Sequence, residues 1–307
     1  VLKQYDIDVY KTMRGRGGML LFTNQGVKLF LECNHPDKYY EREDIITKTI
    51  AHNGFINVDT YIRNADGGLV SENEEDGRRY ILKNWVDARE CNVNDISDIA
   101  VGVSTLARLH TSLDEAAVCF REMDVNPVAE NMRLADNYVR HMKELKQASN
   151  YLKNKKKKSE FENIAYRNIG SFYSEAVNAV RKMSDDKLKK RFLQAQLSGE
   201  LVHGNYTYHN VCFCGSTVFV TNFEKCRNEC QISDLYQFMR KILEKYEWDI
   251  QTAYKMLFSF PEKFWKIINY YYNMNKAWIP PKSVEKLKAV TSVNSRRLEF
   301  LASIGVL

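Results

Sequence analysis

Alternating apolar and polar positions dominate residues 1–86, with one helical stretch set among them. Asp6 to Met13 reads as a strand, followed by a tight basic turn, Arg14-Gly15-Arg16-Gly17-Gly18, and a second strand from Met19 to Thr23. Asn24-Gln25-Gly26 has the chemistry of a hairpin turn, and Val27 to Cys33 reads as the third strand. Asp37 to His52 is helical and stops at Asn53-Gly54, where glycine can take the left-handed conformation that ends a helix. Val58 to Arg63 and Arg79 to Val86 complete a set of five antiparallel strands, separated by a polar connection from Asn64 to Gly77.

Beyond Asn94 the period changes to that of helices. Ile96, Ile99, Ala100, Val103, Leu106, Ala107 and His110 recur at three- and four-residue spacing, which predicts a core-facing helix. Further helices are predicted over Val125 to Ala148, Phe161 to Met183 and Asp186 to Leu197. Leu201 to Phe223 interrupts them with two short β-rich runs around a loop. Helices resume at Ser233, with breaks at Pro261, Pro280 and Pro281.

Composition adds limits rather than a function. The chain has 307 residues, enough to bury a large core, with 44% hydrophobic and 27% charged residues and only 5 prolines, as in ordinary globular proteins. No run of about 18 apolar residues is present, so no membrane span is expected. Val1 to Tyr10 lacks a signal-peptide core, which predicts cytoplasmic synthesis. The net charge of +6 is mild, and Lys155 to Lys158 supplies much of it as a local run. Such a run is usually a solvated face, so nucleic acid is not an expected partner.

The chemistry concentrates in Leu201-Val202-His203-Gly204-Asn205-Tyr206-Thr207-Tyr208-His209-Asn210-Val211, followed by Val220-Thr221-Asn222-Phe223-Glu224 and Ile232-Ser233-Asp234-Leu235. These segments resemble the catalytic loop, metal segment and following Asp-Leu of the aminoglycoside phosphotransferase and choline kinase-like superfamily. There the loop runs His-Gly-Asp, four residues, Asn, and the metal segment runs Ile-Asp-aromatic. The likeness is closer to the CotS-type spore-coat branch, with its His-Gly-Asp-Tyr-x-Tyr-His-Asn loop, Trp hinge, Glu-Cys dipeptide and Asp-Leu-Tyr helix start. Here those are His203 to Asn210, Trp85, Glu90-Cys91 and Asp234-Leu235-Tyr236; Asn57-Val58-Asp59 and Leu106 to His110 also look like that branch.

The resemblance implies an α+β, protein kinase-like bilobal fold: an N-lobe over 1–86, five-stranded with one helix, and a mainly helical C-lobe over 87–307 carrying a catalytic-loop-like hairpin at 199–224. It also implies a job for each residue. Phosphoryl transfer needs a carboxylate to accept the hydroxyl proton, an Asn and an Asp on Mg²⁺, and a lysine on the phosphates. The base position holds Asn205, whose amide cannot take a proton near neutral pH. The metal Asn is kept as Asn210, the metal Asp has become Asn222, and Glu224 two residues on is a carboxylate that could hold a metal. The family's Gly-x-x-x-Leu-Lys-Glu reads Gly26 to Glu32 here, which puts Leu31 at the lysine position. Lys28, three residues earlier, points to the opposite strand face. Arg14 or Arg16 could reach phosphates instead.

Other features keep two readings. Arg16-Gly17 is either a phosphate-covering loop or a hairpin turn. Trp85 either lines an adenine-sized slot or fills the lobe interface. His203 orients the loop or touches substrate, and Asp234 holds the loop from below. Cys212, Cys214, Cys226 and Cys230 are buried thiols or, if hairpin pairing gathers them, a thiolate metal site. The function expected from the resemblance is a spore-coat pseudokinase that binds other coat proteins, with ATP and Mg²⁺ as possible ligands. The alternative is an active ATP- and Mg²⁺-dependent phosphotransferase.

Overall fold

The computed structural model describes residues 1–122, 134–245, 281–292 and 294. Contact density divides the chain into two compact units, Val1–Glu130 with Gln196–Phe238, and Asn131–Ala195 with Met239–Leu307. The first unit thus joins the N-terminal sheet to the segments after residue 196.

In the first unit, β1 (Val9–Gly15), β2 (Gly18–Thr23), β3 (Gly26–Glu32), β4 (Tyr61–Ile62), β5 (Val70–Glu72) and β6 (Arg79–Asn84) form one antiparallel sheet. Its order is β1-β2-β3-β6-β4, with β5 also on β6. The sheet thus has one strand more than the five expected. β4 covers only Leu82 and Lys83 on the far edge of β6, and β5 pairs with the remaining Arg79, Tyr80 and Ile81. A three-residue strand inside a polar, Gly-containing connection is too short to show alternation.

The helix α1 (Asp37–His52) has the bounds its pattern predicts. Tyr40, Glu43, Asp44, Thr47 and Ile50 are buried at helical spacing, and Gly54 ends it with φ 96°. Tyr40, Tyr61, Leu69 and Ile81 form a core cluster, against which Leu31 packs. Leu82, by contrast, packs on the other sheet face with Tyr5 and Leu21, so β6 is buried on both sides.

The first unit continues with β7 (Arg89–Glu90), α2 (Ile96–Glu122), β8 (Leu201–Val202), β9 (Val211–Cys214), β10 (Thr217–Val220) and β11 (Arg227–Asn228). A β9–β10 hairpin pairs with β7, and β8 pairs with β11. A parallel bridge between Val58 and Val220, with Val220 N–H donating to Asn57 O at 3.0 Å, brings the segment before β4 against the end of β10.

The second unit contains α3 (Leu134–Asn154), α4 (Glu160–Met183), most of α5 (Asp186–Ser198) and α7 (Pro281–Ser292); α6 (Ile232–Leu243) begins in the first unit. Leu145, Leu152, Phe161, Ile169, Phe172 and Leu287 make its core. The run Lys155 to Lys158 precedes α4, where Ser159 and Glu162 form a capping box and Lys155 pairs with Glu162 at 2.6 Å. Of the expected breaks, Pro281 opens α7, where its missing N–H costs nothing, while Pro261 and Pro280 lie outside the described residues. So does the start of the helix expected from Val125; its described part runs on to Asn154, because Leu152 is still core. Among the described residues no helix is long and apolar enough to cross a membrane.

Candidate functional site

A cavity of about 310 Å³ opens in the first unit between the sheet, α1 and the segments around Asn210 and Asn222. It brings together Arg16, Gly17, Leu31, Trp85, Asn210, Asn222 and Glu224 from the sequence-derived set. Arg14, His203, Asn205 and Asp234 do not line it; Arg14 lies exposed on β1.

The loop at 203–210 is shaped from beneath. Asp234, fully buried in the first turn of α6, accepts from the backbone N–H of His203 at 2.7 Å and of Gly204 at 2.8 Å, and also meets His110 Nε2 at 3.1 Å. His203 is fully buried as well. Its Nε2 lies 3.1 Å from Thr221 O, and its Nδ1 accepts from Asn205 N–H at 3.2 Å. Those partners require Nε2 to carry the proton and Nδ1 to be bare, which is the neutral ring.

Burial lowers the His203 pKa below its ordinary 6.5, with the Asp234 charge opposing. A depressed pKa means the unfolded chain binds the proton first. Stability contributed by His203 is therefore full above about pH 6.5 and declines as pH falls below it, by up to about 1.4 kcal/mol per unit, until the folded ring titrates. Urea melts across this window should show that slope in the wild type and lose it in His203→Asn.

Asn210 Nδ2 donates to Asn205 O at 2.9 Å, so both the N–H and the C=O of Asn205 are held. What Asn205 presents chemically is an amide. A hydroxyl can hydrogen-bond to it, but no base is there to remove the proton.

The segment Thr221 to Glu224 is tied to α1 and to Asp59. Asn222 has φ 70°, a left-handed conformation that asparagine tolerates better than most residues. Its N–H donates to Asp59 Oδ1 at 3.0 Å, and the next N–H, of Phe223, donates to Glu43 Oε1 at 3.1 Å. Tyr39 OH donates to Glu224 O at 2.6 Å. Burial and the Glu224 charge push the Tyr39 phenol up to about 12, so it remains a donor at physiological pH.

Leu31 brings no lysine to the cavity, but β6 does. Lys83 of β6 reaches into the cavity, with Nζ 2.7 Å from Glu43 Oε1 and 2.9 Å from Asp59 Oδ2. The Tyr61 ring lies 4.4 Å from the same nitrogen. All three charged side chains are less than 6% exposed. Burial disfavours the ammonium, but Asp59 and Glu43 outweigh it and Lys83 stays charged with a raised pKa. Lys83, Glu43 and Asp59 thus form a buried charge cluster on the cavity wall, while Leu31 packs against the apolar cluster of Tyr40, Tyr61 and Ile81. One signal could have found it: Lys83 shares the strand face of Ile81, directly after the apolar run Tyr80-Ile81-Leu82. Lys28, on the other face, donates to Asn84 Oδ1 at 2.8 Å and does not line the cavity.

Arg16-Gly17 is a two-residue hairpin turn closing the Gly15–Gly18 pair, with φ of 55° and 79°. Yet the turn has a long reach. The Arg16 guanidinium bonds His209 O at 2.9 Å and Glu90 Oε1 at 2.8 Å, and lies 5.3 Å from the Trp85 ring. Glu90 in turn holds His209 Nδ1 at 2.7 Å. The Trp85 face is therefore covered by Arg16.

Around the cavity four carboxylates, Glu32, Glu43, Asp59 and Glu224, face two cations, Arg16 and Lys83, each already in an ion pair. The cysteines do not assemble a thiolate centre. Cys212 is buried beside Arg16, Cys214 is exposed, and among the described residues no group of three or more His, Cys, Asp or Glu is placed to hold a metal.

No family model matches the chain, and no curated protein does. Solved structures do. An aminoglycoside phosphotransferase from Alicyclobacillus acidocaldarius superposes with a TM-score of 0.80 at 15% identity, over 99% of this chain and 94% of that one. A spectinomycin phosphotransferase solved with ADP and spectinomycin gives 0.59 at 10% identity, covering 96% of each chain. A microcompartment-associated aminopropanol kinase gives 0.54 at 12%, over 100% of this chain and 97% of that one. At such low identity the likeness speaks for the fold: the chain has the kinase-like α+β fold of the aminoglycoside phosphotransferase type.

Proposed function

We propose that this chain is a non-catalytic member of that fold, a pseudokinase with a binding or assembly role. One observation carries the reading. The buried carboxylates at the cavity, Glu43 and Asp59, are both taken up by Lys83, while the positions that face a substrate hydroxyl and a metal hold the amides of Asn205, Asn210 and Asn222. A Mg²⁺ ion favours anionic oxygens, and two amides with the partly exposed Glu224 are a poor donor set for it. The likeness of His203 to Asn210, Trp85, Glu90-Cys91 and Asp234-Leu235-Tyr236 to the CotS-type pattern supports a place in the spore coat, with other coat proteins as partners.

A second reading is an ATP- and Mg²⁺-dependent phosphotransferase. It is favoured by the Lys83–Glu43 ion pair and by the ADP seen in the spectinomycin phosphotransferase. Incubating the protein with ATP, Mg²⁺ and a panel of aminoglycoside and amino-alcohol acceptors separates the two. No ADP above the protein-free blank is expected over hours; sustained ADP release with a phosphorylated acceptor would overturn the non-catalytic reading. For the coat assignment, immunoblots of spore-coat extracts should contain the protein, and its confinement to the vegetative fraction would refute that part.

A further inference from the structure

We infer that Asp59 is a specificity-determining residue, an internal anion that occupies the phosphate-facing side of Lys83 and turns the cavity against polyphosphate ligands. The inference deepens the non-catalytic reading and rests on it.

A lysine ammonium has three N–H donors and no acceptor. In a kinase cleft one donor meets the helix glutamate and the others are left for phosphate oxygens. Here one meets Glu43 at 2.7 Å and a second meets Asp59 at 2.9 Å, while the ring of Tyr61 covers the nitrogen at 4.4 Å. Asp59 is not free to swing aside, because its other oxygen accepts Asn222 N–H at 3.0 Å. The Val58–Val220 bridge, one residue before it, anchors the same stretch of backbone. A phosphate entering the cavity would therefore compete with a carboxylate already bonded and already buried at 3% exposure. It would also meet the charge of Glu224 and Glu32 on the wall, without a free cation among the described lining residues. The same wall leaves neutral and cationic ligands unopposed.

Asp59→Asn tests this directly. The amide keeps an oxygen for Asn222 N–H but turns an NH₂ toward Lys83, and two donors cannot bond each other. The ammonium then has a donor for phosphate. Metal-free ATP, ATP with Mg²⁺, and adenosine are titrated against wild type, Asp59→Asn, Asp59→Ser and the double change Asp59→Asn with Lys83→Met, by calorimetry and thermal shift. The expected result is a gain of about tenfold or more in ATP affinity for Asp59→Asn, the worth of one charge-assisted hydrogen bond, with adenosine unchanged. The double variant should lose that gain. In the wild type, which needs no substitution to fold, ATP should bind no more tightly than adenosine. Tighter wild-type binding of ATP than of adenosine overturns the inference, and so does a folded Asp59→Asn or Asp59→Ser that gains nothing. Wild-type binding of ATP tighter than adenosine but without turnover sinks this inference alone; such binding with turnover sinks the non-catalytic reading as well.

Discussion

Lys83→Met is expected to lower the stability of the protein by about 3–5 kcal/mol, the usual cost of removing one partner from a buried ion pair. Methionine keeps most of the stem, so the loss reads the charge rather than the packing. Glu43 and Asp59 would be left facing each other, each at most 4% exposed, with only backbone N–H groups of Phe223 and Asn222 and the Tyr61 hydroxyl to hold them. Burial already raises the Asp59 pKa, with Lys83 opposing the shift. Without the lysine that opposition is gone, and the variant would take up a proton on folding. A group with a raised folded pKa contributes its stability below the unfolded value and loses it as pH rises. The deficit of Lys83→Met should therefore be smaller in mildly acidic buffer than in mildly alkaline buffer, read as urea midpoints of variant against wild type. Equal deficits at both pH values would mean that the carboxylates find other cations, and that the charge of Lys83 is not what holds Glu43 and Asp59.

Much of this was legible along the chain. The bounds of α1 follow from its own amphipathic spacing and the Asn53-Gly54 stop, and the β1–β2 and β2–β3 hairpins follow from glycines that must turn. These are local signals. Lys83 was not legible in the same way, because its meaning depends on Asp59 and Glu43, 24 and 40 residues away, arriving at one point. At the position where the family pattern has its lysine, the chain carries the aliphatic Leu31. The lysine that does reach the cavity is Lys83, two positions along β6 from Ile81, the residue paired with Leu31. Installing lysine at Leu31 would thus restore nothing: it would remove a side chain from the Tyr40, Tyr61 and Ile81 cluster and place a second ammonium in a cavity that already has one. The Arg16 contact to His209, across 193 residues, was beyond reach for the same reason, although the two-residue turn that aims it was not.

Gly204→Ala should be among the most damaging single-methyl changes in the chain, costing about 3 kcal/mol or more, whereas Gly26→Ala should cost only about 1–2 kcal/mol. Both glycines are left-handed, with φ of 75° and 86°, so both substitutions carry the same backbone strain. They differ in what the new methyl would meet. At Gly26 nothing lies within 4 Å. At Gly204 the added Cβ would sit 2.8 Å from the carbonyl carbon of Lys225 and closer still to its oxygen and to the Arg227 guanidinium, in a backbone held by β11 and by Cys226 N–H donating to Phe223 O. The loop would have to lift, and lifting it breaks the Asp234 bonds to His203 and Gly204 and exposes the His203 ring. Denaturant midpoints of the two variants, with matched slopes, measure the difference directly. A loop kept only as a relic of catalysis would tolerate the change as Gly26 does. The close packing of Gly204 on Lys225, with the Asp234 bonds to His203 and Gly204, makes the shape of this loop part of what holds the first unit together.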